Sequence, residues 1–493
     1  MNKQKNTRKL ENAPFRHKDF FIQHFGKDVY AVGGYVRDLL LNPHMKDANN
    51  VDILITFHSI EKIVETLQSF GKIDLVGKSF GIIKFVLEDR TYDIALPRTD
   101  SPKKTSIRGH RDFVIMADPD IPIEKDLERR DFRCNSISLR LCDNEIFDPF
   151  DGEKDIENKI IRLTNPDSFP EDPLRVIRAA RFASVHGFSI DPEIYGASKD
   201  IDLSGLSIER INEELFRILL ESQKPSIGLE ELFKLSALRQ IFPELYRLSL
   251  SIQDSIFHPE KDSFGHHTVW QHTKITVDQA KRLAKIFNVD RVKELALLFA
   301  ALFHDVGKAA TARWEYKRGR MAITNYGHDI TSANITKEVF DRHKIHSFRG
   351  HDLRKTVLSL IKAHHRASEL WQNRETVTKK AFNRLAADIH GEIELVALLD
   401  AADRSGRDEK PIQGLDQEGQ WLLNKFEELN VSKTTIQPLI LGRDLIDLGI
   451  RPGPEMGAIL KKLYELQLDN DFDTRSKGLI LAKNIIKLEE DNP

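Results

Sequence analysis

The sequence predicts an α+β chain, in which an α/β head of about 150 residues precedes an almost wholly helical body. Three observations predict it. Up to about residue 150, short β-rich runs alternate with turns and helical stretches. From about residue 171, apolar residues recur at helical spacing. Between residues 172 and 430 there is almost no strand signal.

In the head, VYAVGG (29–34) is a short apolar run ending in a glycine pair, and VRDLLL (36–41) then begins a helix. VDILITF (51–57), IDLVG (73–77), GIIKFVLED (81–89) and TYDIALP (91–97) read as strands. SPKKTSIRGHRD (101–112) is polar, basic and unpatterned, and is expected to be a mobile loop. Further on, EDPLRVIRAARFAS carries Leu174, Ile177 and Phe182 on one helical face, with Arg175, Arg178 and Arg181 at three-residue spacing. IERINEELFRILLES (208–222), VKELALLFAALF (292–303) and LRKTVLSLIKAHH (353–365) continue the helices. A last helical piece follows the Gly/Pro-rich IRPGPEMG (450–457), and no internal repeat is visible.

Composition narrows the function classes. A length of 493 residues suggests about three or four domains. Hydrophobic residues at 40% and charged residues at 30% describe a globular chain. Net charge is only −2, so any nucleic-acid contact must come from local Lys and Arg clusters. The basic N-terminus lacks an apolar core for a secretory signal, and no apolar run of about 18 residues exists for a membrane span. Cys134 and Cys142, eight apart, form neither a zinc framework nor a disulfide scaffold. A reducing cytoplasm is the expected location.

Three features of the head carry chemistry. Gly33-Gly34 lies at a strand-to-helix turn, where bare backbone lets a phosphate approach helix N–H groups. Arg37, one turn into that helix, is placed for a charge-assisted phosphate contact. Asp52 and Asp93 lie on separate strands, and carboxylates on neighbouring strands hold the Mg²⁺ ions of a two-metal phosphoryl-transfer site.

GGYVRDLLL followed by a strand-borne Asp resembles the head of class II tRNA nucleotidyltransferases and bacterial poly(A) polymerases, of the polymerase-β-like superfamily. LERRDFRCNSIS (127–138) and EDPLRVIRAARF (171–182) resemble two further blocks of that family. The resemblance implies that Arg130 and Asp131 contact ribose and triphosphate. It implies that Asp172 and Arg175 read the edge of ATP or CTP, as an i, i+3 pair on one helix face, with Arg178 beside them. Arg98 and the basic loop after it are expected to position the triphosphate or to reorient the head between CTP and ATP. One departure stands out. The family opens its metal-binding strand with Asp-x-Asp, whereas this chain has Asn50-Val51-Asp52. Either Asp47 loops back as the missing carboxylate, or the site has one carboxylate fewer.

A second constellation comprises His272, His304-Asp305, His328, His364-His365 and Asp403. Imidazole and carboxylate suit first-row divalent ions. The order, and HDVGKAATAR itself, resembles the HD superfamily of metal-dependent phosphohydrolases. His272, His304, Asp305, His328, His365 and Asp403 are then the expected ligands of an ion such as Ni²⁺ or Mn²⁺. His364 competes with His365 for one role, and His266, His267 and His351 are read as ordinary histidines. LGRDLIDLGIRPGPEMGAILKKLYELQLDND (441–471) resembles the tail of bacterial tRNA nucleotidyltransferases. Asp444 is expected to cap a helix, and Arg443, Arg451, Lys461 and Lys462 are candidates for tRNA phosphates.

The resemblance thus implies a polymerase-β-like nucleotidyltransferase head, an all-α neck, an HD domain and a helical tail. The expected bounds are 1–24 for an N-terminal extension, 25–152 for the head, 153–224 for the neck, 225–410 for the HD domain and 411–493 for the tail. It implies template-independent addition of C and A to tRNA 3′ ends from CTP and ATP, with a second phosphatase or 2′,3′-cyclic phosphodiesterase activity and no membrane. Two alternatives stay open: a poly(A) polymerase or A-adding enzyme, and an HD phosphohydrolase whose head only binds RNA. Oligomeric state is not legible.

Overall fold

The computed structural model describes residues 7–11, 13–48, 51–76, 82–102, 113–429, 431 and 437–490. The chain divides into two units: Met1–Ile218 with Ile227–Ile241, and Leu219–Ser226 with Phe242–Pro493.

The first unit is organised by an eight-stranded sheet. Its order is Thr7–Lys9, Glu145–Phe147, Ser138–Arg140, Val29–Val32, Asp52–Ile55, Arg90–Ala95, Ile82–Leu87 and Lys72–Val76. Neighbours are antiparallel, except that Asp52–Ile55 runs parallel to Arg90–Ala95. Alternation sets which side chains meet the core: Ile53 and Ile94 are buried, whereas Asp52 and Asp93, one residue before each, are exposed. The four runs read from the sequence at 51–97 all contain strands, as does VYAVGG. The helix Gly34–Leu41 leaves the sheet at Gly33. Farther along, Leu174–His186 buries Leu174, Ile177 and Phe182 together with Arg175 and Arg181.

The 101–112 segment is not all loop. Arg98–Pro102 pairs with Phe113–Ala117 in a separate antiparallel ribbon, and residues 103–112 lie outside the described ones, as does Asn50. Basic composition concealed the pairing because Ser101 and Pro102 carry no β-propensity.

The second unit is helical around a sustained apolar core. In Arg291–Phe303 every residue from Leu295 to Phe303 is buried, and Ile393–Ser405 is similarly enclosed. Asp290 and Asp352 cap their helices by accepting backbone N–H bonds from Val292 and Lys293, and from Lys355. The body is not free of strands: Arg313–Lys317 and Arg320–Thr324 form an antiparallel hairpin, and in the first unit Ile160–Ile161 pairs with Ser189–Ile190. In the tail, Ile440, Leu445, Met456, Ile459, Leu463 and Phe472 form a core cluster. Asp444 caps as expected, accepting the Leu441 N–H at 2.7 Å.

Candidate active sites

The first site lies over the two central strands of the head sheet, Asp52–Ile55 and Arg90–Ala95. Asp52 and Asp93 are direct partners across the parallel strand pair, so both carboxylates leave the same face side by side. They line a cleft of about 540 Å³ with Gly33, Gly34, Arg130, Asp172 and Arg175. Asp52 opens into the cleft, and the partial desolvation imposed by the protein around it raises its pKa; Arg130 opposes that shift, and Asp93 adds to it. Gly33 has φ +70°, and a Cβ added there would lie 2.9 Å from Arg130 Nη1 and 3.5 Å from Asp52 Oδ2. Backbone, arginine and carboxylate therefore converge where a side chain would not fit.

Arginines form the opposite wall, and buried acids hold them. Asp126, fully buried, accepts from Arg129 (2.8 and 3.1 Å) and from Arg130 (3.0 and 3.2 Å). Burial favours its neutral form, yet the two guanidiniums hold its carboxyl below the ordinary range. Sequence reading missed Asp126, although it stands three and four residues before the arginine pair, the spacing of helical ion pairs. Asp131 accepts from Arg178 Nε at 2.7 Å and from Asn135 at 2.9 Å. Burial works against its charge, but Arg178 and Asn135 bring it down to about 2. Glu214, also missed, pairs with Arg181. Phe182 lies under three guanidiniums, those of Arg37, Arg178 and Arg181, at 4.9, 5.7 and 4.6 Å.

Several expected residues take other roles here. Arg37 is buried and lines the cleft, with its guanidinium donating to Asp38 (2.6 and 2.9 Å) and Asn135 (2.9 Å). Asp172 is not on the helix with Arg175. The helix starts at Leu174, and Asp172 precedes it in extended conformation, accepting the Leu174 N–H and pairing with Arg210 at 2.8 Å. Pro173 fixes that break. Arg175 donates to the Ser168 and Arg129 carbonyls, each at 2.5 Å. Both residues still line the cleft. Asp47 does not: it is bound by Arg90 at 2.6 Å and by the Arg16 and Ala48 backbone N–H groups. The idea that it loops back to the metal carboxylates is thereby corrected.

The second unit gathers the histidines. His304, His328 and His364 each donate Nδ1–H to a backbone carbonyl three residues earlier, Ala301 (2.8 Å), Asn325 (2.7 Å) and Ile361 (2.5 Å). A carbonyl only accepts, so each neutral ring keeps its Nε2 lone pair for the interior. The buried Nε2 atom of His364 has no hydrogen-bond partner among the described residues, and that of His304 faces the Asp305 and Asp403 carboxylates at 3.2 and 3.5 Å. His272 directs Nε2 to Asp403 at 2.8 Å, with Nδ1 against Glu260 at 3.2 Å. Asp305 sends one oxygen towards His304 (3.2 Å) and Lys308 (2.7 Å) and the other towards His328 (3.3 Å).

Donor atoms of His272, His304 and Asp403 lie within 4.8 Å of one another, as do those of His328, His364 and His365. His364 thus joins His365 instead of excluding it. Glu260 and His258 were missed; they flank His272, and nothing in their spacing marks them as its neighbours. Uniformly oriented nitrogens beside paired carboxylates fit divalent ions. Burial pulls the His304 imidazole down, but the Asp305 and Asp403 carboxylates outweigh it and raise it to about 10. Burial and the His365 and His304 rings hold His364 well below its usual range. In the tail Arg443, Arg451, Lys461 and Lys462 are exposed.

Comparison with known proteins gives three family matches. Residues 29–162 match the poly A polymerase head domain, 187–248 the probable RNA and SrmB-binding site of polymerase A, and 269–405 the HD domain. The multifunctional CCA protein of Actinobacillus pleuropneumoniae serotype 5b is 33% identical over 366 residues, 72% of this chain and 80% of that protein. That of Xanthomonas campestris pv. campestris is 33% identical over 387 residues, 77% and 85% of the two chains. Among solved structures, the Thermotoga maritima CCA-adding enzyme complexed with tRNA aligns over 98% of this chain and 100% of its own, with a TM-score of 0.55 at 21% identity. The Bacillus stearothermophilus CCA-adding enzyme in complex with CTP aligns over 97% and 98%, with a TM-score of 0.59 at 21% identity. These structural likenesses establish the fold.

Proposed function

The chain belongs to the family of multifunctional CCA proteins, and from that premise we propose that it adds C and A to tRNA 3′ ends from CTP and ATP. It is a nucleotidyltransferase with a metal-dependent HD phosphohydrolase domain. One observation carries the transferase reading: Asp52 and Asp93 stand in register on adjacent strands, at the foot of an arginine-walled cleft. An all-oxygen pair of this kind suits Mg²⁺, which supplies Lewis-acid activation of the attacking hydroxyl and of the phosphates. Arg130, anchored by Asp126 and standing over Gly33, neutralises the triphosphate. The Gly34 helix start offers N–H groups to the same phosphates. Arg178, fixed by Asp131, supports this wall. Asp172 and Arg175 select the base by exchanging their present partners, Arg210 and the Ser168 and Arg129 carbonyls, for its edge. With Asp47 tied to Arg90, Asp52 and Asp93 serve without a third carboxylate from that loop.

The test offers the protein three tRNAs, ending at position 73, in C and in CC, each with single labelled nucleotides, with and without Mg²⁺. Ordered C, C, A addition that Asp52→Ala abolishes is the expected result. A run of A alone would mean a poly(A) polymerase or an A-adding enzyme. Addition undiminished in Asp52→Ala would overturn the site.

A second activity follows from the second unit. We assign to His272, His304, Asp305, His328, His365 and Asp403, with His364, a divalent-metal centre that hydrolyses phosphate esters at RNA 3′ ends. Its support is the common orientation of the Nε2 atoms and the two carboxylates that each face both histidine groups. The nitrogen-rich set suits an ion such as Ni²⁺ or Mn²⁺. His304→Ala retaining full metal-dependent hydrolysis of 2′,3′-cyclic AMP would refute it. The exposed Arg443, Arg451, Lys461 and Lys462 are assigned to tRNA phosphates. The head, neck, HD and tail bounds given above, and a cytoplasmic location, complete the proposal. No helix among the described residues is long and apolar enough to cross a membrane.

A further inference from the structure

The hairpin Arg313–Lys317/Arg320–Thr324 interrupts the helical unit at a telling place. Its first strand begins eight residues after Asp305, and its second ends four residues before His328, so both roots descend from metal-centre residues. The roots touch: Gly307 donates its N–H to Ser332 Oγ at 2.8 Å, and a Cβ on Gly307 would lie 2.6 Å from the His328 carbonyl. Asn325, between strand and ligand, accepts from His328 Nδ1.

The hairpin itself is well specified. Arg318 and Gly319 both have positive φ, +51° and +82°, as a two-residue turn of the primed type requires. Its inner face is fastened, with Ala322 buried and Arg320 gripping Asp254 through two bonds of 2.7 and 3.0 Å. Its outer face is aromatic and uncovered: Trp314 is 67% exposed, and Tyr316, paired with Met321, is 73% exposed. Tyr326, on the approach to His328, is 69% exposed and holds Lys317 Nζ 4.3 Å from its ring centre. From Arg313 to Arg320 inclusive there are four basic residues and one acid, in a chain whose net charge is −2; Arg320 is paired with Asp254 and Lys317 lies 3.4 Å from Glu315.

An aliphatic exposed strand would suit a protein edge. Exposed rings with Arg313 and Arg318 in the same hairpin, next to the centre assigned to phosphate hydrolysis, instead match the chemistry of unpaired nucleic acid, whose bases stack and whose phosphates need counter-charge. Trp314 and Tyr316 lie two residues apart on one strand face, about 6.8 Å, which gives each ring its own nucleotide of an extended strand. We propose that this hairpin is a stacking platform for the unpaired 3′-terminal nucleotides of an RNA, holding the strand so that its terminal phosphate enters the His304–Asp305 centre. The proposal rests on the hydrolase reading of that centre.

The test compares two substrates on the full-length, metal-loaded protein: 2′,3′-cyclic AMP, and an unstructured hexaribonucleotide ending in a 2′,3′-cyclic phosphate. The wild type should prefer the hexamer in kcat/KM. Trp314→Ala/Tyr316→Ala should reduce that preference by roughly 30-fold, through KM, as expected for two weakly stacked bases. Trp314→Phe should retain most of it. An unchanged preference in the double variant overturns the proposal. Equal loss on both substrates also overturns it, because the hairpin would then only build the metal centre. So does sedimentation showing that the aromatic face instead joins two copies. If the wild type hydrolyses neither substrate, the hydrolase reading fails. Hexamer binding followed by anisotropy then decides the platform separately: wild-type affinity in the double variant rejects it.

Discussion

Replacing Gly33 by alanine adds one methyl group at the point where the transferase cleft is tightest. Two costs can be read from the structure. At φ +70° and ψ −129° the backbone occupies a region open essentially to glycine, where an L-residue costs on the order of 1–3 kcal/mol. For a unit of this size that lowers Tm by about 2–12 °C. The second cost is local. The new Cβ would lie 2.9 Å from Arg130 Nη1, well inside an ordinary contact of about 3.5 Å. Arg130 is held from behind by Asp126, so it swings away from the carboxylates instead of sliding along them. A catalytic group displaced by a fraction of an ångström to about 1 Å loses on the order of 10²-fold in rate. The assay is single-turnover CMP addition to a tRNA ending in C. Hydrolysis of 2′,3′-cyclic AMP by the same preparation serves as an internal control, because that activity is proposed for the other unit. A Gly33→Ala protein adding CMP at the wild-type rate would refute the placement of the triphosphate beside Gly33 and Arg130.

Three further outcomes follow from the buried charges. Asp126→Asn keeps the shape but removes the buried charge shared by two guanidiniums whose side chains are only 17% and 18% exposed. Urea unfolding of the head transition should show a loss of about 3 kcal/mol, the lower end for a broken buried pair. Glu260→Gln removes the carboxylate that orients His272, and metal titration should show affinity weakened about 10–100-fold while the fold is retained. After chelation, His304 carries a pKa raised to about 10. A raised value means the protonated ring stabilises the folded chain. That contribution is complete below the ordinary histidine value of about 6.5 and is lost as pH rises towards 10. Thermal melts of EDTA-treated protein should fall across that window more steeply than those of His304→Gln, and metal uptake at pH 7 should release a proton measurable by calorimetry in two buffers.

Legibility in the sequence followed the range of the interactions. Strand alternation is local, so the runs at 51–97 and the glycine turn were readable, and their parallel pairing brought Asp52 opposite Asp93. The histidine set was readable through the resemblance of its order to the HD superfamily, and the structure adds that His304 and His364 each bond a carbonyl three residues earlier. What failed was long-range. Asp47 lies five residues from Asp52, yet Arg90, 43 residues away, captures it. Asp172 and Arg175 satisfy an i, i+3 rule that Pro173 cancels, because the helix begins only after it. Glu260 meets His272 through a loop whose path no periodicity encodes. The hairpin at 313–324 was overlooked although Trp314 and Tyr316 alternate, because helical runs on both sides dominated the reading.

Two centres in one chain raise the question of whether they act on one substrate in turn, and the chemistry of the 3′ end answers it. Nucleotidyl transfer consumes a free 3′-hydroxyl, since that oxygen attacks the α-phosphate and pyrophosphate departs. An RNA end closed as a 2′,3′-cyclic phosphate has no such hydroxyl and is inert at Asp52 and Asp93. Water must first open the ring and then remove the remaining phosphate monoester, two phosphate hydrolyses of the kind assigned to His304 and Asp305. A tRNA ending in CC with a 2′,3′-cyclic phosphate should therefore accept AMP from the wild type only after a lag set by hydrolysis. His304→Ala should add AMP normally to the same tRNA with a free hydroxyl, but not to the cyclic form. Mixing His304→Ala with Asp52→Ala should restore addition if the opened tRNA is released between the steps. Absence of rescue in that mixture, with each variant active on its own substrate, would mean that the RNA end passes between the centres without leaving the protein.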